Sequence, residues 1–136
     1  MSSQAIDTLL NKKSGLLGIG GDNDMRQLLK KREQGSSDAR LAIDMYVYSI
    51  QKAIGAYRSQ LPEIDAVIFT GGVGENAALI RELVIQPLAH LGLQLDLNKN
   101  NQKIEEIANV SAHQTPILII RGDEEQLIAE KVSAFM

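Results

Sequence analysis

Asp65-Ala66-Val67-Ile68-Phe69-Thr70-Gly71-Gly72-Val73-Gly74-Glu75-Asn76 is the stretch on which the reading of this chain turns. Its first half is rich in β-formers and apolar at its centre, the pattern of a strand buried on both faces. Three glycines come directly after it, where a backbone without Cβ atoms turns sharply and approaches a ligand closely. A helix is expected to open near Asn76, and its free N–H groups favour an anion or a polar ligand group. Ligands of open α/β sheets bind at the carboxyl ends of strands, which is where this loop falls. The expectation is a nucleotide-cradling loop; a tight structural turn between strand and helix is the plainer alternative.

The loop is not a Walker A motif, because no Gly-Lys-Ser/Thr follows it. Gly72-x-Gly74-x-x-Ala77 satisfies the relaxed dinucleotide fingerprint, and Asp96 stands where that motif places its acidic residue, about 20 residues on. That alternative needs a strand to carry Asp96, and residues 91–97 offer only a weak candidate.

Working outward, residues 4–13 read as a short helix with Ile6, Leu9 and Leu10 on one side. The cluster Gly20-Gly21-Asp22-Asn23-Asp24 reads as a turn into a second helix, with Asp24 and Gln27 spaced like a capping box. Gly35-Ser36-Ser37 closes that helix. A longer one then runs from Ser37 to about Arg58, with Ile43, Val47, Ile50 and Ile54 on its core face. Pro62 ends the region. Beyond the glycine loop, a helix is expected from Asn76 to Ile85, packing through Leu79, Ile80 and Leu83 and limited by Pro87. Residues 103–108 suggest a helical turn or two, and Ile117-Leu118-Ile119-Ile120 a second buried strand. Asp123 is placed to cap a last helix.

The pattern is α/β, a small sheet covered by helices. Only two strands are convincing, whereas sheets typically hold about 4–6. Their apolar character calls for neighbours this sequence barely supplies, as if the chain were part of something larger.

At 136 residues, 44% hydrophobic and 23% charged, the chain is long enough for one globular domain and too rich in apolar residues to be disordered. A net charge of -3 without a basic run argues against nucleic acid or a membrane as partner. With no cysteine, disulfides, thiolate metal sites and cysteine nucleophiles are excluded. No signal peptide and no membrane span is visible, so the expected location is cytoplasmic.

Thr70-Gly71-Gly72-Val73-Gly74-Glu75-Asn76, with its preceding strand, resembles the adenosine-side loop of the acetate/propionate kinase family, in the actin-like, sugar-kinase-like (ribonuclease H-like) superfamily. Three further segments carry the resemblance in the family's order: residues 9–18, Asp24-Met25-Arg26, and Gly122-Asp123-Glu124-Glu125 with Leu127-Ile128-Ala129. Gly122-Asp123 departs from the family's common Thr-Asn.

The resemblance implies an ATP-dependent phosphotransferase interconverting a short-chain carboxylate, acetate first and propionate or butyrate as alternatives, with its acyl phosphate. ATP/ADP and Mg2+ would be its cofactors and a homodimer its assembly. By the same resemblance Gly72, Val73, Gly74, Glu75 and Asn76 would line the adenosine and α-phosphate side, and Asp24, Met25 and Arg26 would border adenine and ribose. Glu124 would be the carboxylate associated with magnesium. Each role has a plainer rival, since Arg26 could be a solvated helix arginine and Glu124 an ordinary residue of a helix start. His90 and His113 match no catalytic motif. No counterpart to the family's N-terminal phosphate-binding domain or its catalytic residues is found. The chain is therefore expected to be a C-terminal portion, residues 1–136, inactive alone; the rival reading is a non-catalytic nucleotide-binding or self-association module.

Overall fold

A computed structural model describes residues 1–122, 128 and 131–133. The chain divides into two compact units, Met1–Glu63 and Ile64–Met136, with the break just after Pro62.

The first unit is helical: α1 (Ser3–Lys12), α2 (Gly15–Gly20), α3 (Met25–Glu33) and α4 (Ser37–Arg58). Side-chain oxygens of Ser2, Asp24 and Ser36 cap α1, α3 and α4 by accepting otherwise orphaned N–H groups. The Asp24–Gln27 capping box is replaced by a tighter turn. Asp24 accepts from the Arg26 N–H at 2.9 Å, while its own N–H donates to Asp22 Oδ1 at 3.1 Å.

Helix α2 was not expected, because Gly15, Gly18 and Gly20 each cost helix stability. Packing overrides that cost. A Cβ added at Gly20 would lie 2.6 Å from Leu28 Cδ2 and 2.9 Å from Ala42 Cβ, so only glycine lets α2 sit this close to α3 and α4. The core of the unit is Met25, Leu28, Ala39, Ala42, Ile43 and Val47. Ile50 and Ile54, expected on the same face of α4, are only half-buried, and Ile6, Leu9 and Leu10 stay exposed.

The second unit holds a three-stranded sheet of order β1-β3-β2, with β1 (Val67–Phe69), β2 (Ile107–Asn109) and β3 (Ile117–Ile120). β1 runs parallel to β3 in the register Ile68↔Leu118, and β2 runs antiparallel to β3 in the register Ile107↔Ile120. Between β1 and β2 come α5 (Gly71–Asn76), α6 (Ala78–Ile85), a 3-10 segment (Gln86–Leu91) and α7 (Leu97–Asn100). Ile80, Val84, Ile85, Leu88, Leu93, Val110, Ile117 and Ile119 form the core.

Several expectations are corrected. The strand at β1 is not buried on both faces. Alternation sends Ile117 and Ile119 into the core, and puts Ile68 and Ile107 on the other face, where they are 55% and 67% exposed. No helix opens at Asn76; the glycine run itself is helical from Gly71 and ends at Asn76, and α6 starts anew after the non-helical Ala77 (φ −108°, ψ 81°). Residues 91–97 contribute one isolated bridge, Leu95↔Ser111, in place of a strand. Residues 103–108 hold the start of β2 instead of a helical turn, because pairing with β3 outweighs their weak helical signal. The sheet thus has three strands where two were legible. Asp123, expected to cap the last helix, lies outside the described residues. Among those described, no helix is long and apolar enough to cross a membrane.

Candidate functional site

The site is built on the turn that follows β1. Thr70 is still extended, and Gly71 then takes φ +73°, a left-handed conformation that side chains disfavour. That reversal starts the six-residue helix α5.

Both ends of this short helix are tied down by side chains. At its start, Glu75 Oε1 accepts from the Gly71 N–H at 2.8 Å and from the Gly122 N–H at 3.0 Å, with the Thr70 hydroxyl 3.5 Å away. One carboxylate oxygen so joins the exit of β1 to the exit of β3. The Gly122 amide above all, with the Gly71 amide, the Arg121 charge and the Thr70 hydroxyl, holds the Glu75 carboxyl below its usual range against the opposing effect of desolvation. Midway, Asn76 Nδ2 donates to the Gly72 carbonyl at 2.9 Å. At the end, Arg81 Nη1 donates to the carbonyls of Gly74 and Glu75 at 2.8 and 2.9 Å.

Arg81 was missed by the sequence reading. Only 2% of it is exposed, and it is flanked by Ile80, Val84 and Ile85 on the buried stripe of α6. An arginine inside an apolar helical stripe was the available signal. Its Nε donates to Asn100 Oδ1 and its Nη2 to the Asn100 carbonyl, both at 2.7 Å. Asn100 is itself fully buried, and its Nδ2 donates to the Ala78 carbonyl at 3.0 Å. Burial pushes the Arg81 pKa down, yet an arginine keeps its charge in such a place. Glu75, Asn76, Arg81, Asn100, Lys103 and Arg121 all border a polar cleft of about 390 Å³.

Gly72 joins this network only through its carbonyl, which accepts from Asn76. It is exposed, its φ is not positive, and a Cβ added there would meet nothing within 4 Å. Neither backbone strain nor crowding within the described protein calls for glycine at this position. Val73, Gly74 and Glu75 are half-buried and Asn76 is exposed.

The other predicted contacts belong to the helical unit. Arg26 donates to Asp24 from Nε at 3.0 and 3.2 Å and from Nη2 at 2.6 Å, and its side chain is 87% exposed. Arg26 holds the Asp24 carboxyl down at about 2, first through its side chain and then through its N–H. The pairing fixes the guanidinium plane at the surface, where a flat group can stack on it. Met25 is buried, so its side chain belongs to the core.

Glu124, the expected magnesium-associated residue, lies outside the described residues. Among those described, no cluster of three or more His, Asp or Glu could hold a metal ion. Asp96 spends its Oδ1 on capping α7, accepting from Asn98 and Lys99 N–H groups at 2.9 and 3.1 Å, and stands at no strand end. His90 and His113 are exposed.

A family model described as the Acetokinase family matches residues 1–130. Acetate kinase of Campylobacter jejuni subsp. doylei is 48% identical over 131 residues, covering 95% of this chain and 33% of the relative. Acetate kinase of Streptomyces avermitilis is 43% identical over 138 residues, covering 100% of this chain and 34% of the relative. Among solved structures, a propionate kinase from Francisella tularensis superposes with a TM-score of 0.87 at 39% identity, over 96% of this chain and 34% of that one. Porphyromonas gingivalis acetate kinase gives 0.88 at 33% identity, over 98% and 34%. The chain spans about a third of the length of the curated relatives it matches.

Proposed function

We propose that this chain, which belongs to the Acetokinase family, is the C-terminal, nucleotide-holding portion of an ATP-dependent carboxylate kinase. Its fold is the α/β, actin-like fold of the acetate and propionate kinases it matches. The whole enzyme interconverts a short-chain carboxylate, acetate first, with its acyl phosphate, and works as a homodimer. Propionate and butyrate differ from acetate by methylenes, each worth only about 1–3 kcal/mol in a hydrophobic pocket, so the choice among them is a modest one.

The observation that carries the nucleotide reading is Gly72. A glycine that nothing in the described protein requires keeps open the place a side chain would fill, as close ligand approach demands. The Glu75 carboxylate favours the uncharged part of the nucleotide in this reading. It already occupies the Gly71 N–H, and its negative charge repels a phosphate. The turn therefore receives the uncharged adenosine side, lined by Gly72, Val73, Gly74 and Asn76, with Glu75 acting from behind. Asp24 and Arg26 border base and ribose in this reading, and Met25 contributes through its backbone. Magnesium, associated with Glu124, neutralises phosphate charge when it is bound with the nucleotide.

Calorimetric titration of ADP into the 136-residue chain tests this. Saturable binding is expected, and Gly72→Ala weakens it about tenfold by obstructing the ligand. The same substitution leaves thermal stability unchanged or raises it, since alanine is the better helix former. If the wild-type chain took up no ADP at high nucleotide concentration, or bound NAD tightly instead, the reading would fall.

A further inference from the structure

A buried arginine without a carboxylate is costly, and what Arg81 obtains for that cost is specific. Among the described residues, its four hydrogen bonds go to neutral oxygens: the Gly74 and Glu75 carbonyls, and the side chain and carbonyl of Asn100. Those two glycine-turn carbonyls close α5, where the chain leaves helical geometry at Ala77 and the last carbonyls lack intrahelical partners. The guanidinium fork spans both, a geometry an ammonium group cannot reproduce. Asn100 in turn fixes the fork, because its side chain and carbonyl hold Nε and Nη2 while its amide is anchored on Ala78. An apolar residue of similar size would fill the Ile80–Val84–Ile85 stripe without the desolvation cost. Packing alone therefore gives no account of an arginine here.

We infer that Arg81 and Asn100 form a positioning pair: they hold the C-terminal end of the glycine turn from beneath, and so fix where Gly72, Val73 and Asn76 present themselves to a nucleotide. Neither residue touches the nucleotide. Its effect on affinity rests on the nucleotide reading above, whereas the clamp on the turn can be measured with no ligand present.

Amide hydrogen exchange and ADP titration on the 136-residue chain test the pair together. In Arg81→Lys the charge remains and the fork is lost. The Ala77 N–H, bonded to the Val73 carbonyl at 3.0 Å, is expected to exchange about tenfold faster, and ADP to bind about tenfold more weakly. The amides of Ile85 and Ile119, in α6 and β3, stay within about twofold of wild type, since local opening of the turn need not unfold the core. Asn100→Asp keeps the oxygen facing Nε but replaces the amide anchored on the Ala78 carbonyl with an acceptor, so the Ala77 N–H is expected to lose part of its protection. Unchanged exchange at Ala77 in Arg81→Lys overturns the proposal, and so does equal acceleration at Ala77, Ile85 and Ile119, which would make Arg81 a general stabiliser only. If Arg81→Lys does not fold, Asn100→Ala decides by the same comparison of Ala77 with Ile85 and Ile119. A wild-type chain that binds no ADP defeats the nucleotide reading alone, and leaves the exchange result to judge the pair.

Discussion

Glu75 shows how one side chain sets the character of a site. Its oxygen occupies the Gly71 amide and links two strand exits that are far apart in sequence. Because its folded pKa lies below the ordinary value of 4.5, the carboxylate contributes stability that is fully present above pH 4.5. That contribution is lost as the pH falls through the lowered folded pKa. Asp24, held at about 2 by Arg26, behaves the same way and loses its contribution between pH 3.8 and about 2. The amide proton signals of Gly71 and Gly122 are expected to titrate together with a midpoint below 4.5, and to lose that titration in Glu75→Gln. A midpoint at or above 4.5 would mean that the link between the strand exits is not formed in solution.

At the level of elements, the sequence told most where a pattern was local. The 22-residue α4 and the run Ile117–Ile120 declare themselves by periodicity and apolar content, and both stand where they were expected. Helices α2 and α5 are rich in glycine and contradict local propensity; Gly20 packing and the side chains of Glu75, Asn76 and Arg81 make them, and such contacts have no signature in a short window. β2 depends on its partner in the same way. In the candidate site, the glycines and Asn76 were legible from their motif, whereas Arg81 and Asn100 act through a separation of nineteen residues that only folding closes. The apolar run at β1 was read as two buried faces, and the structure covers one. That asymmetry has a measurable consequence. Ile119→Ala, on the covered face, is expected to cost about 2–5 kcal/mol in chemical denaturation. Ile68→Thr, on the open face and still β-branched, is expected to stay within about 0.5 kcal/mol. Equal costs at the two positions would show that the second face is covered in this chain too.

For the whole molecule, the decisive fact is length. A chain that spans about a third of its relatives carries the glycine turn proposed here to receive the adenosine end of a nucleotide, with the Glu75 carboxylate on the Gly71 amide. Phosphoryl transfer needs the reverse: positive groups and a metal around the transferring phosphate, and an acceptor held in line with it. The described residues show three basic side chains beside the polar cleft, Lys103, Arg121 and the buried Arg81, and no cluster able to hold a metal. Loss of one transition-state arginine costs phosphotransferases about 10³–10⁵ in kcat, and loss of the surrounding apparatus costs more. The 136-residue chain supplied with ATP, magnesium and acetate is therefore expected to form acetyl phosphate at a rate at least about 10³-fold below an intact enzyme of the family, even where calorimetry finds ADP bound. Trapping the acyl phosphate with hydroxylamine measures this directly. Robust turnover would place the transferring groups inside residues 1–136 and sink the division of labour proposed here. Binding without turnover, followed by activity once the two thirds of a full-length relative that this chain does not match is supplied as a separate polypeptide, would support it.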